Sequence, residues 1–128
     1  LPCTPPPWGV IAGISLDTGE IVWRQTIGTT QDLAPGGLAL KIGTPNIGGP
    51  MITSSGLVFI GATMDDYLRA FDVSTGRELW KGRLPAGGQA TPMSYEHDGR
   101  QYVVIAAGGH SSLGTKQGDT LVAFALPD

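Results

Sequence analysis

The sequence predicts an all-β fold of stacked antiparallel sheets, and three observations carry that reading. One design occurs twice: Ile11 to Trp23 (IAGISLDTGEIVW) and Leu68 to Trp80 (LRAFDVSTGRELW) each run from an apolar strand through a Thr-Gly turn. Each then places a Trp four residues after its Gly, Gly19 or Gly76, so the period from Trp23 to Trp80 is 57 residues. Fixed offsets at a period longer than one hairpin mark repeated β units such as propeller blades. The repeat also continues past the Trp. Pro50-Met51, a turn closed by Gly56 and Leu57 to Ile60 parallel Pro92-Met93, a turn closed by Gly99 and Tyr102 to Ile105. Finally, 20 Gly and 10 Pro in 128 residues suit short strands and tight turns, and no segment of helical length has apolar residues at a 3.6 period.

Apolar runs bounded by Gly, Asn, Asp and Ser breaks place strands at 9–16, 20–26, 49–54, 57–62, 67–72, 77–83, 90–96, 101–107 and 119–125. Grouped by the repeat, 1–26 holds the last two strands of one blade and 27–48 is a loop between blades. Residues 49–83 form a complete four-stranded blade, and 84–128 carry the first three strands of the next. This unequal grouping is the pattern expected of a piece of a larger propeller.

Composition narrows function by exclusion. With 41% hydrophobic and 15% charged residues and a net charge of −3, the chain can bury a modest core. It has no Lys/Arg cluster to neutralise a row of phosphates, so nucleic acid is not an expected partner. No apolar stretch has the length of a membrane span. The single Cys3 has no internal partner and no companion at metal-ligand spacing, and it reads as a small buried apolar side chain or as a thiol paired elsewhere in a parent chain. Asp17, Asp72, Glu96 and Asp98 fit turn chemistry better than a cation site, so no metal ligand is assigned.

Further motifs carry a family resemblance. Pro5-Pro6 with Trp8-Gly9, the string GATMDDYLRA over 61–70 and RLPAGGQATPM over 83–93 resemble the bacterial membrane-bound quinoprotein dehydrogenases, which use pyrroloquinoline quinone (PQQ). The tail AGGHSSLGTKQGD over 107–119, with AFALPD to residue 128, looks most like the glucose dehydrogenase branch; Ser111, Ser112 and Gln117 depart from that pattern and keep quinate and other polyols open. The resemblance implies the carboxy-terminal part of an eight-bladed propeller in the periplasm, held at the inner membrane by an amino-terminal anchor outside this chain. It implies PQQ and a divalent cation, calcium or magnesium, both bound mainly by other blades. It further implies an aldose or polyol substrate, ubiquinone as electron acceptor and the remaining blades as partners. The fragment alone is expected to be inactive.

The same resemblance makes Trp23 and Trp80, with Gly19 and Gly76, tryptophan-docking residues. An indole stacked on a neighbouring blade's turn buries a large apolar face while its N–H finds a carbonyl. Trp8, in a PPPW loop, seals the propeller edge or plays a similar part.

Laying one unit over the next gives the functional candidates. Asp65 lies five residues after Ile60 and His110 five after Ile105, so both follow the second strand of successive blades. The residues alone leave two readings. A carboxylate and an imidazole at one rim can share a proton and hold a substrate hydroxyl; alternatively Asp65 caps an Asp-Asp turn and His110 is a solvated loop residue. The resemblance favours the first, with both residues near substrate or cofactor in supporting roles, so that removing either changes activity while leaving the fold nearly unchanged. The long 110–119 connection is a candidate functional loop, with Lys116 either meeting a substrate or cofactor oxygen or solvated. In the sparsely charged 26–48 loop, Asp32 and Lys41 have no partners at motif spacing. Two other readings stand beside the dehydrogenase: a PQQ-like scaffold or protein-binding propeller without redox activity, and a small self-contained carbohydrate-binding β domain.

Overall fold

The computed structural model describes residues 3–127; the outermost positions of the first and last segments, 1, 2 and 128, lie outside it. Nine strands follow in chain order: β1 (Val10–Ile14), β2 (Ile21–Thr26), β3 (Met51–Ile52), β4 (Leu57–Ile60), β5 (Tyr67–Asp72), β6 (Glu78–Arg83), β7 (Met93–His97), β8 (Arg100–Ala107) and β9 (Thr120–Ala125). They form three antiparallel sheets ordered β1-β2, β3-β4-β5-β6 and β7-β8-β9. The all-β expectation holds. The third strand is shorter than expected, because Thr53 leaves the ladder to bond Leu57 and Ser55 in the turn that follows.

The middle sheet is buried on both faces, and strand alternation explains how. Val58, Ile60 and Phe71 pack with Ile11, Ile27 and Ala62 against the first sheet. Phe59 and Leu68 face the other way, into a core of Leu84, Ala86, Val103, Ile105 and Ala107 shared with the third sheet. Register is equivalent in the second and third sheets: Val58 pairs with Phe71, and Val103 with Phe124.

Trp23 shows how one sheet is fastened to the next. Its Nε1 donates to the Val73 carbonyl at 2.8 Å, and its ring lies over the 72–76 turn of the second sheet. Gly76, at φ 71°, is required there, since a Cβ would fall 2.4 Å from the ring. Asp72 holds that turn by accepting from the Ser74 and Thr75 amides, as its turn reading anticipates. Trp80 lies edge-on to Phe124, with centroids 5.0 Å apart, and has no such turn beneath it among the described residues. Space beside Gly19 is likewise open.

Cys3 corrects an expectation. It is exposed, because it sits in the Pro-rich segment ahead of β1 and outside both cores.

Candidate functional site

The β4–β5 connection spans six residues, 61–66, whereas the β8–β9 connection spans twelve, 108–119. Asp65 and His110 lie in these two loops, so each follows the second strand of a unit. Their surroundings differ completely.

Asp65 is fully buried, at 1% exposure. Its Oδ1 accepts from Thr63 Oγ1 at 2.5 Å and Arg69 Nη1 at 2.8 Å. Its Oδ2 accepts from Arg69 Nη2 at 2.6 Å and from the Thr29 amide and hydroxyl, each at 2.7 Å. Burial disfavours its charge, but the hydrogen bonds and charge of Arg69, with Thr63 and Thr29, outweigh it and hold the carboxyl below its ordinary range. Arg69 reaches Glu78 as well, at 3.5 Å. With five donors already in place, Asp65 has no acceptor position turned to a ligand. It does not cap the Asp-Asp turn either: one oxygen reaches across to Thr29, tying the 27–48 loop to the middle sheet. The expectation that the fold survives its removal is therefore corrected, since a buried arginine would lose its main partner.

Asp32, unassigned from the sequence, does the same work further along. It binds the Arg83 guanidinium through both oxygens, one bond at 2.7 Å, and accepts the Asp66 amide at 3.0 Å. The Arg83 hydrogen bond leads the effects that keep Asp32 ionised to lower pH. Asp66 is pushed the other way, first by burial and then by the Asp32 charge, while Arg83 and Lys116 partly offset this. Tyr67 completes the patch, its ring lying beneath Lys81 Nζ at 4.8 Å and Arg83 at 4.9 Å.

His110 is half-buried and its side chain makes no hydrogen bond among the described residues; Nδ1 is buried without a partner. Only its main chain is held. The amide donates to Thr115 Oγ1 at 2.8 Å, and the carbonyl accepts the Leu113 amide at 3.2 Å across the 3-10 turn Ser111–Leu113. The 108–118 loop is further clamped by the 87–89 segment: the Gly87 amide donates to the Lys116 carbonyl, and the Gly109 amide to the Gly87 carbonyl, at 3.0 and 2.8 Å. Gln89, buried at 8% exposure and left unassigned from the sequence, bridges the two loops. Its Nε2 donates to the Thr63 carbonyl at 2.7 Å, and its Oε1 accepts from Thr115 Oγ1 at 3.0 Å.

Chemically, the arrangement offers one imidazole without a hydrogen bond among the described residues, and a saturated carboxylate connected to its main chain through Thr63, Gln89 and Thr115. No group of three or more His, Cys, Asp or Glu able to hold a metal occurs among the described residues. A large apolar hollow of about 780 Å³ lies elsewhere, lined by Trp80, Phe124, Leu79 and Leu126, and none of Asp65, Gln89 or His110 borders it. No helix is long and apolar enough to cross a membrane among the described residues.

Comparison with known proteins finds relatives along the whole chain. The family model described as "PQQ: Glucose/ethanol/alcohol dehydrogenase, beta-propeller domain" matches residues 1–103. Quinoprotein glucose dehydrogenase A of Acinetobacter calcoaceticus is 58% identical over all of this chain and 16% of its own length. A probable quinate dehydrogenase (quinone) of Xanthomonas campestris pv. juglandis is 48% identical over all of this chain and 17% of its own. The chain thus spans about a sixth of the curated relatives it matches. Among solved structures, quinohemoprotein alcohol dehydrogenase from Comamonas testosteroni superposes with a TM-score of 0.64 at 24% identity, over 91% of this chain and 16% of that one, which shows the fold.

Proposed function

Because the chain belongs to the PQQ glucose/ethanol/alcohol dehydrogenase β-propeller family, we propose that it is the carboxy-terminal part of a PQQ-dependent dehydrogenase that oxidises an aldose, glucose foremost, to its lactone. In this reading the parent works in the bacterial periplasm, attached to the inner membrane by a segment outside this chain, and passes electrons to ubiquinone. The observation that carries it is the 58% identity, across every residue of the chain, to a quinoprotein glucose dehydrogenase. The unpartnered His110 nitrogen supports a ligand-facing role for the 108–118 loop, since a buried polar atom without a partner is costly unless something else meets it.

The residues present do not make a cofactor site by themselves. Asp65 has no acceptor position to give a cation, and the described residues hold no metal-ligating cluster. PQQ and a cation, calcium or magnesium, are accordingly assigned to the other blades, and this chain contributes an edge of the pocket through His110. The cofactor supplies the redox chemistry when bound; His110 orients a sugar hydroxyl, and Asp65 stabilises the wall behind it. The 48% identity to a quinate dehydrogenase favours, as second reading, a quinate or polyol substrate on the same site. A propeller serving only as scaffold is the competing class.

The deciding experiment is a panel of sugars and polyols offered to the full-length parent with PQQ, calcium and an artificial electron acceptor. Dye reduction dominated by glucose is the expected result. Reduction dominated by quinate or another polyol moves the substrate assignment, and absence of any PQQ-dependent turnover overturns the enzyme reading in favour of the scaffold.

A further inference from the structure

Thr63, Gln89 and Thr115, from separate parts of the chain, connect the two candidate residues by hydrogen bonds, Thr63 through both its hydroxyl and its main-chain carbonyl. The line runs from Asp65 to Thr63, from the Thr63 carbonyl to Gln89, from Gln89 to Thr115, and from Thr115 to the His110 amide. The direction of each bond is dictated by chemistry. A carbonyl only accepts, so the Gln89 amide nitrogen must face Thr63 and its oxygen must face Thr115. The Thr115 hydroxyl has one hydrogen, which goes to Gln89 at 3.0 Å in preference to the His110 carbonyl at 3.5 Å. Its lone pairs are then left to accept the His110 N–H at 2.8 Å.

Among the described residues no hydrogen bond reaches the His110 imidazole, so the hydrogen bonds that fix this residue all act on the main chain from which the ring projects. That main chain is fixed at the amide by Thr115 and at the carbonyl by the Leu113 turn. Thr115 is buried at 7% exposure, and its hydroxyl is in turn fixed by Gln89.

We infer that Gln89 and Thr115 are positioning residues that set the orientation of the His110 imidazole toward substrate, referencing it to the rigid Thr63–Asp65–Arg69 block of the preceding sheet. The inference rests on the reading of His110 as a substrate-facing group. Misplacement of such a group by a fraction of an ångström weakens binding without dismantling the fold.

The test uses the full-length parent holoenzyme with glucose and quinate as probes. Thr115→Val keeps the shape and deletes the hydroxyl; Thr115→Ser restores it. Thr115→Val should raise KM for the preferred probe about tenfold, with a smaller fall in kcat, while Thr115→Ser stays within about twofold of the parent. Combined with His110→Asn, Thr115→Val should add nothing, because the group it aims is gone. Equal KM values for the Val and Ser variants, or independent multiplication of the Thr115 and His110 effects, overturns the positioning role alone. A His110→Asn enzyme with parental KM for both probes overturns the substrate-facing reading of His110 as well. Gln89→Met breaks the same line one step earlier, carries the same expectations and replaces Thr115→Val should that variant not fold.

Discussion

Asp65 and His110 occupy equivalent places in successive units, yet one is a finished structural joint and the other an open end. Asp65 spends both oxygens on donors from its own chain and joins three segments: the 27–48 loop through Thr29, its own loop through Thr63 and β5 through Arg69. Among the described residues His110 is hydrogen-bonded only through its main chain, and its Nδ1 is buried without a partner. The contrast teaches that equivalence of position in a repeat does not carry equivalence of role. β5 supplies Arg69 opposite Ile60 as the partner of Asp65, whereas the matching place opposite Ile105 in β9 is Val122, an apolar residue.

The sharpest way to break the comparison is Asp65→Ala in the parent chain. It strands a buried guanidinium, and a loss of about 3 kcal/mol or more in denaturant unfolding is expected. The pH dependence has the same origin. The folded pKa of Asp65 is lowered, so its stabilisation is complete above the unfolded value of about 3.9 and fades as pH falls through the folded value. Acid titration followed by near-ultraviolet circular dichroism should show a transition below about pH 4 that is missing from Asp65→Asn.

Gly87→Ala comes next. Its Cβ would meet Gln89 Oε1 at 2.4 Å and Thr115 Oγ1 at 2.6 Å, where the two loops are clamped together. A cost of about 1–3 kcal/mol is expected, together with a rise in KM, measured by unfolding and steady-state kinetics. Asp32→Asn touches the same strap as Asp65 at a more exposed point; about 0.5–1 kcal/mol should be lost, with faster amide exchange confined to the 27–48 loop. The smallest effect on stability belongs to His110→Asn, within about 0.5 kcal/mol. If this variant instead destabilises as much as Asp65→Ala, the division into joint and open end fails.

The fold was legible because its signals are local and periodic. Turn glycines, the Trp at a fixed offset and apolar runs of strand length stand within a few residues of one another, and each reports on its own backbone. The candidate site was legible only as two residue names. The contacts that give Asp65 its role join it to Thr29, 36 residues away, and Asp32 finds Arg83 at a separation of 51. Gln89 and Thr115 are 26 apart. Threonine, glutamine and single acidic residues in loops have no periodicity of their own, so nothing in the one-dimensional pattern pairs them. The one available signal was Gly87-Gly88 directly before Gln89, a stretch without side chains that lets two loops close on a polar residue.

The Trp23 contact has a direction. An indole of the first sheet sits on a turn of the second, so the surface that gives differs from the surface that receives. Beside Gly19 of the first sheet the space is open, while Trp80 of the middle sheet lies edge-on to Phe124 of the third. Such a head-to-tail junction has only two outcomes, a closed ring or an open file of units.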